Sequence, residues 1–154
     1  MKPELQVRLG ASEIASLSSV YIDEGTKRDV WKIGKVDIQD HLLTAEVKMK
    51  AFFVSPTDPA GFHLSIFSTQ EFLAQLSNIY LHLAAGYRKK ERETWMSESS
   101  IVTKSPIRDP ECISVEMQFF NLKRLREALF ARAKCRVFDA AGGLFTAELK
   151  GMLR

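Results

Sequence analysis

From Val30 onward the chain alternates between runs of period two and one long run of helical period. Val30 to Ile38 reads as a strand, followed by a turn at Gln39-Asp40-His41. From Leu42 to Phe53 the alternation is strict, with Ala45, Val47, Met49 and Ala51 on one face and Glu46, Lys48 and Lys50 on the other. A period of two with one apolar face is the pattern of a half-buried antiparallel strand. Two prolines, an Asp and a Gly make Ser55 to Gly61 a loop. After the helical run, period two returns in Glu93 to Thr103, Glu111 to Asn121, Leu129 to Phe138 and Leu144 to Leu153. The last two flank a hairpin turn at Asp139 to Gly143. The first 25 residues are weakly patterned; Ser12 to Ser19 is expected to form a short helix capped by Ser12.

The helical run spans Ser68 to Ala85 and stops at Gly86, a residue suited to a helix C-terminus. Ser68 as N-cap with Glu71 three residues on has the capping-box pattern. Phe72, Leu76, Ile79, Tyr80 and Leu83 form an apolar face, and Glu71, Gln75, Asn78 and His82 line up as a polar stripe. The order is two strands, one long helix, then four strands. Such elements hide their apolar faces best when a curved antiparallel sheet wraps the helix, which predicts an α+β chain with the hotdog layout.

Length and composition fit one domain over residues 1–154: 45% of residues are apolar and 27% charged. A net charge of +3 argues against a dedicated nucleic-acid binder, and no apolar run approaches a membrane span. Residues 1–10 carry Glu4, Gln6 and Arg8 where a signal peptide would be apolar. Cys112 and Cys135 lie in strand-like runs without metal-ligand spacing and read as reduced core residues, so a cytoplasmic protein is expected. His41, His63 and His82 are spaced too far from each other and from cysteine for a zinc site, and no cofactor is called for.

The polar stripe on the helix could be a solvated face. It carries no Lys or Arg, however, and the sole helix of a sheet-wrapped fold is largely enclosed, so its polar residues need partners. Glu71, near the helix start, is the sharpest candidate for a general base, with Gln75 and Asn78 orienting a substrate and His63 on the adjoining lip. Backbone N–H groups at that helix end could polarise a carbonyl. Five phenylalanines, Phe52, Phe53, Phe62, Phe67 and Phe72, cluster around this point and suggest a wall for a greasy ligand. Basic runs at Arg88, Lys89, Lys90 and Arg92, and at Lys123, Arg124 and Arg126, are either solvated loops or capture points for phosphates or an acidic partner.

The segment Thr69-Gln70-Glu71-Phe72-Leu73-Ala74-Gln75-Leu76 resembles two hotdog groups. One is the FabZ-type hydroxyacyl carrier-protein dehydratases, whose helix carries Glu-x-x-Ala-Gln; their upstream loop histidine has no counterpart in Ser55-Pro56-Thr57-Asp58-Pro59. The other is the FcoT-like fatty acyl thioesterases, to which Thr69, Glu71, Phe72, Gln75, Asn78 and Tyr80 are similar in kind and order. The resemblance implies a homodimer or higher homo-oligomer acting on a fatty acyl or 2-enoyl thioester of acyl carrier protein or coenzyme A, by hydrolysis or by addition of an amine such as glycine. Glu71, Gln75, Asn78 and His63 would carry the reaction, and Phe62, Phe67, Ser68, Thr69, Phe72, Leu76, Tyr80 and His82 would contact the substrate, its acyl chain between helix and sheet near Phe72 and Leu76. A dehydratase, or a module that only binds acyl groups, are the alternatives.

Overall fold

A computed structural model describes residues 8, 11–17, 22–23 and 26–154. It contains a short helix α1 (Ala11–Leu17), a two-residue strand pair β1 (Ile22–Asp23) and β2 (Thr26–Lys27), and then the main body. That body is β3 (Val30–Gln39), β4 (Leu42–Ala51), α2 (Ile66–Ala84), β5 (Thr94–Ser105), β6 (Ile113–Leu125), β7 (Ala128–Phe138) and β8 (Leu144–Leu153). The six long strands form one antiparallel sheet in the order β3-β4-β6-β7-β8-β5. Among the described residues no helix is long and apolar enough to cross a membrane.

The strands form where period two was read, and their inward residues build the core. Leu43, Val47 and Met49 on β4, Ile113, Val115 and Met117 on β6, and Phe145, Ala147 and Leu149 on β8 are buried. Facing them, α2 buries Thr69, Phe72, Leu73, Leu76, Ser77, Tyr80 and Leu81, a stripe at spacings of three and four. Each large apolar side chain so enclosed contributes about 1.5–3 kcal/mol. The two edge strands also reach the helix. From β3, Trp31 packs edge-on against Phe72, with ring centroids 6.1 Å apart. From β5, Met96 and Ser99 accept and donate hydrogen bonds to the Gln70 side chain.

Three expectations need correction. The helix is capped three residues earlier than the capping-box pattern suggests: Ser65 is the N-cap, its hydroxyl accepting from the Ser68 N–H at 3.1 Å. Glu71 therefore sits in the second turn rather than the first and does not cap Ser68. Phe67, expected in the loop, lies in the first helical turn. The short helix likewise starts at Ala11, so Ser12 lies within it rather than capping it; residues 18–19 fall outside the described residues. Finally, only Cys135 is a core cysteine, its thiol pushed up to about 12 by burial, whereas Cys112 is exposed just ahead of β6.

One end of the molecule is organised by Asp139, in the β7–β8 turn. Its carboxylate accepts from the backbone N–H groups of Arg108 and Asp109 with one oxygen and of Ala141 and Gly143 with the other. Burial alone would raise its pKa, but these four bonds outweigh it and hold the group below its ordinary value. Gly143 lets the segment before β6 pass close by: a Cβ there would stand 2.5 Å from the Pro106 carbonyl oxygen. The Ile107 carbonyl then accepts from the Leu64 N–H at 2.9 Å, tying this segment to the approach to α2.

Asp139→Asn should cost about 1.5–3 kcal/mol, because an amide N–H2 would confront the donors of Arg108 and Asp109. A carboxyl whose pKa is lowered on folding contributes stability above its unfolded pKa and loses it as pH falls through the folded value. Urea denaturation across pH 2–6 (roughly the carboxylate range) should therefore show a shallower acid decline in the variant; equal slopes would contradict this role of Asp139.

Candidate functional site

The start of α2 opens onto a cleft of about 520 Å³ lined by Asp58, His63, Leu64, Ser65, Ile66, Phe67, Thr103, Pro106, Arg108 and Phe145. Three pieces of chain converge there. The loop from Ser55 carries Asp58 and His63, the segment anchored by Asp139 carries Pro106 and Arg108, and the ends of β5 and β8 supply Thr103 and Phe145.

The polar groups of the cleft form a connected chain. His63 Nδ1 lies 2.8 Å from Asp58 Oδ2, and Arg108 Nη1 lies 3.2 Å from the same oxygen. Arg108 Nη1 also donates to the Phe62 carbonyl at 3.4 Å. The Ala60 N–H, then His63 and Arg108, hold the Asp58 carboxyl below its ordinary pKa. Asp58 is therefore a carboxylate near neutral pH and can only accept, so the ring nitrogen facing it, Nδ1, carries the proton. That tautomer leaves Nε2 of a neutral His63 as a proton acceptor. An orienting carboxylate behind an imidazole is an arrangement suited to general base catalysis. The positive end of the α2 dipole lies on the same cleft, through Ser65, Ile66 and Phe67.

The structure brings together only some of the residues singled out from sequence. His63 and Phe67 line the cleft, and Phe67 is 65% exposed. Ser68 and Thr69 are buried in the first turn, where the Thr69 hydroxyl donates to the Ser65 carbonyl. Phe62 is buried against Phe52, with centroids 4.7 Å apart. Glu71 accepts a 2.9 Å hydrogen bond from the Trp31 indole on the β3 side of the helix. Gln75 is exposed, and the Asn78 side chain accepts from the Thr94 hydroxyl at 2.7 Å. His82 is buried at the far end of α2: its Nδ1 donates to the Asn78 carbonyl while Nε2 accepts from the Glu91 and Arg92 N–H groups. Tyr80 stacks on Phe119 at 3.7 Å and bonds to His41, its hydroxyl pKa raised by burial.

Along the seam between helix and sheet, where an acyl chain was expected near Phe72 and Leu76, the side chains are closely packed. Neither side chain has exposed surface, and the cavity lined by Ser77, Leu81 and Phe119 measures about 20 Å³, room for about one water. Asp58, Arg108, Thr103, Pro106 and Phe145 were missed by sequence reasoning. Asp58 lay in a loop read only for its turn chemistry, and Arg108 lies fifty residues away in another loop, so no spacing joins them. The basic run at Lys123 and Arg124 borders a separate groove of about 680 Å³ with Arg132 and Lys150. In the run after α2, Lys90 pairs with Glu93 and Arg92 with Tyr87 and Glu127.

No protein-family model matches the sequence, and no curated protein matches it. Solved structures do match the fold. A Lactococcus lactis protein assigned to the thioesterases (yhdA) superposes with a TM-score of 0.51 at 10% identity, covering 77% of this chain and 87% of that one. A Streptococcus pneumoniae TIGR4 protein, likewise assigned and solved with coenzyme A, gives 0.51 at 12% identity, covering 81% and 86%. At these identities the likeness shows the fold alone: the chain has the hotdog fold, with one helix on a six-stranded antiparallel sheet.

If Glu71 anchors Trp31, then Glu71→Gln, which keeps an acceptor for the indole, should shift the urea midpoint little. Trp31→Phe removes the donor and should cost about 1.5–3 kcal/mol, the range for a hydrogen bond to a charged group. The reverse ranking would contradict this role.

Proposed function

We propose that this protein hydrolyses acyl thioesters in the cleft at the start of α2. The observation that carries the reading is His63, oriented by the Asp58 carboxylate at 2.8 Å on the lip of that cleft. The hotdog fold shared with proteins assigned to the thioesterases makes thioesters the first substrate class to consider.

In this mechanism His63 Nε2 takes a proton from a water, whose oxygen attacks the thioester carbonyl carbon. The helix dipole favours the negative charge that gathers on the carbonyl oxygen. Collapse breaks the carbon–sulfur bond, the thiolate takes the proton from His63, and a carboxylic acid and a free thiol leave. Asp58 keeps the ring in the productive tautomer and stabilises the imidazolium formed midway. Phe67, exposed beside the cleft, offers apolar surface to the acyl chain. Coenzyme A in the pneumococcal structure makes coenzyme A thioesters the first carriers to test, with acyl carrier protein second. Addition of an amine has less support, because the Asp58 carboxylate that could hold an ammonium group is already engaged by His63 and Arg108.

The assembly is a homodimer joined through β5. This strand is an edge of the sheet, twelve residues long, with Trp95 and Val102 exposed, and unpaired edges of that length invite pairing across a two-fold axis.

Thiol release from a panel of acyl and enoyl thioesters, with and without glycine, should show hydrolysis that glycine does not divert. His63→Ala should lower kcat by about 100- to 10,000-fold, the usual worth of a general base. Glu71→Gln should retain most turnover; the opposite ranking would move the base to Glu71. Sedimentation at micromolar concentration should give a dimer, and a monomer would refute pairing through β5.

A further inference from the structure

Among the described residues Arg108 is only half used. Its side-chain hydrogen bonds to Asp58 and to the Phe62 carbonyl all run through Nη1. Among the described residues Nε and Nη2 make none. A guanidinium presents its donors in pairs along planar edges, and the edge formed by Nε and one terminal nitrogen matches the two oxygens of a carboxylate. Arg108 is a partly exposed cation on the cleft wall; Asp58, held between it and His63, Ser65 and Thr103 are the other polar lining residues, and Leu64, Ile66, Phe67, Pro106 and Phe145 supply apolar surface. A guanidinium edge beside apolar walls selects for a ligand with a short hydrocarbon stretch and an anionic end.

Two distances limit how long that stretch can be. His63 Nδ1 and Arg108 Nη1 reach the same Asp58 oxygen at 2.8 and 3.2 Å, so they lie within about 6 Å of one another. The reacting Nε2 and the free guanidinium edge each stand about 2 Å beyond those atoms, so they lie within about 10 Å of one another, a span that a chain of several carbons bridges. Leu64 and Phe145, which line the cleft, are themselves buried in the core. A short chain bridging two polar groups fits this space better than a long one entering the core.

We propose that the preferred substrates are monothioesters of short dicarboxylic acids, with the free carboxylate paired to the outer edge of Arg108 and the thioester carbonyl beside His63. This rests on the hydrolase reading above and adds a substrate class to it. A competing role for Arg108, capture of a phosphate on the thiol carrier, would discriminate between carriers and not between acyl groups.

The test compares adipyl and hexanoyl thioesters of N-acetylcysteamine, which have equal chain length and a thiol carrier without phosphates. The wild-type protein should favour adipyl by at least tenfold in kcat/KM, mainly through KM. In Arg108→Gln the adipyl-to-hexanoyl ratio should fall to near one; being a ratio within one protein, it is insensitive to a general loss of activity. Arg108→Lys, which keeps a cation but loses the planar edge, should fall between. Equal kcat/KM for the two substrates in the wild type, or an unchanged ratio in Arg108→Gln, would overturn the proposal. Calorimetric titration with the N-ethyl monoamide of adipic acid and with N-ethylhexanamide reads the same preference without turnover. If neither thioester is cleaved but the adipic compound binds at least tenfold tighter, the hydrolase reading falls and the carboxylate site stands. If the two amides bind equally, the carboxylate site falls.

Discussion

The structure depends on one constraint: α2 must bury an apolar face that, among the described residues, the sheet covers. Thr69, Phe72, Leu73, Leu76, Tyr80 and Leu81 can leave water only if the sheet curves around them. The curvature is visible at both edges, where Trp31 of β3 reaches Glu71 and Phe72, and Met96 and Ser99 of β5 reach Gln70. Side chains from opposite ends of the strand order thus meet one turn of the helix, at Gln70, Glu71 and Phe72. The polar groups involved are paired across the seam, as half-buried donors and acceptors must be.

This arrangement decides where chemistry can occur. The flank of the helix is filled by close-packed side chains, and its stripe of Glu71, Asn78 and His82 is engaged with Trp31, Thr94 and the loop after α2. Along α2 there is open space at the helix start, where the chain must return from β4 to α2 and from β5 to β6. Loops at such places carry function because the scaffold beneath them is rigid. Here the rigidity has identifiable sources. Asp139 collects four backbone N–H groups, Gly143 admits the Pro106 carbonyl, and the Leu64–Ile107 hydrogen bond joins the two loops. Those contacts place Arg108 and His63 on either side of one carboxylate.

Much of the fold was legible in the sequence because alternation and helical period are local signals. β8 runs over the residues expected, Leu144 to Leu153, and Ala45, Val47 and Met49 of β4 face inward as predicted, whereas Ala51 at the strand end is exposed. The helix start was misread because Ser65 and Ser68 are both competent caps, and the apolar pair Ile66-Phe67 between them looks like loop until the tertiary position is known. Cys112 was misplaced because its neighbours resemble a strand that in fact begins at Ile113. The site was less legible. His63 was noticed as a lone loop histidine, but its partners come from Asp58 in a turn and Arg108 in a distant loop. Only folding brings these together, through backbone hydrogen bonds that leave no mark on residue spacing. The helix residues drew attention instead because their period made them visible, although most of them serve packing.

The central claim is that the reacting carbonyl sits at the helix start and not along the helix flank. A crystal structure with a non-cleavable acyl thioester analogue, its sulfur separated from the carbonyl by a methylene, tests it most directly. The account predicts the carbonyl carbon beside His63, one ordered water from Nε2, with the acyl group against Phe67 and Arg108. Density for the acyl group between α2 and the sheet at Phe72 and Leu76, or in the groove bordered by Lys123 and Arg132, would contradict it.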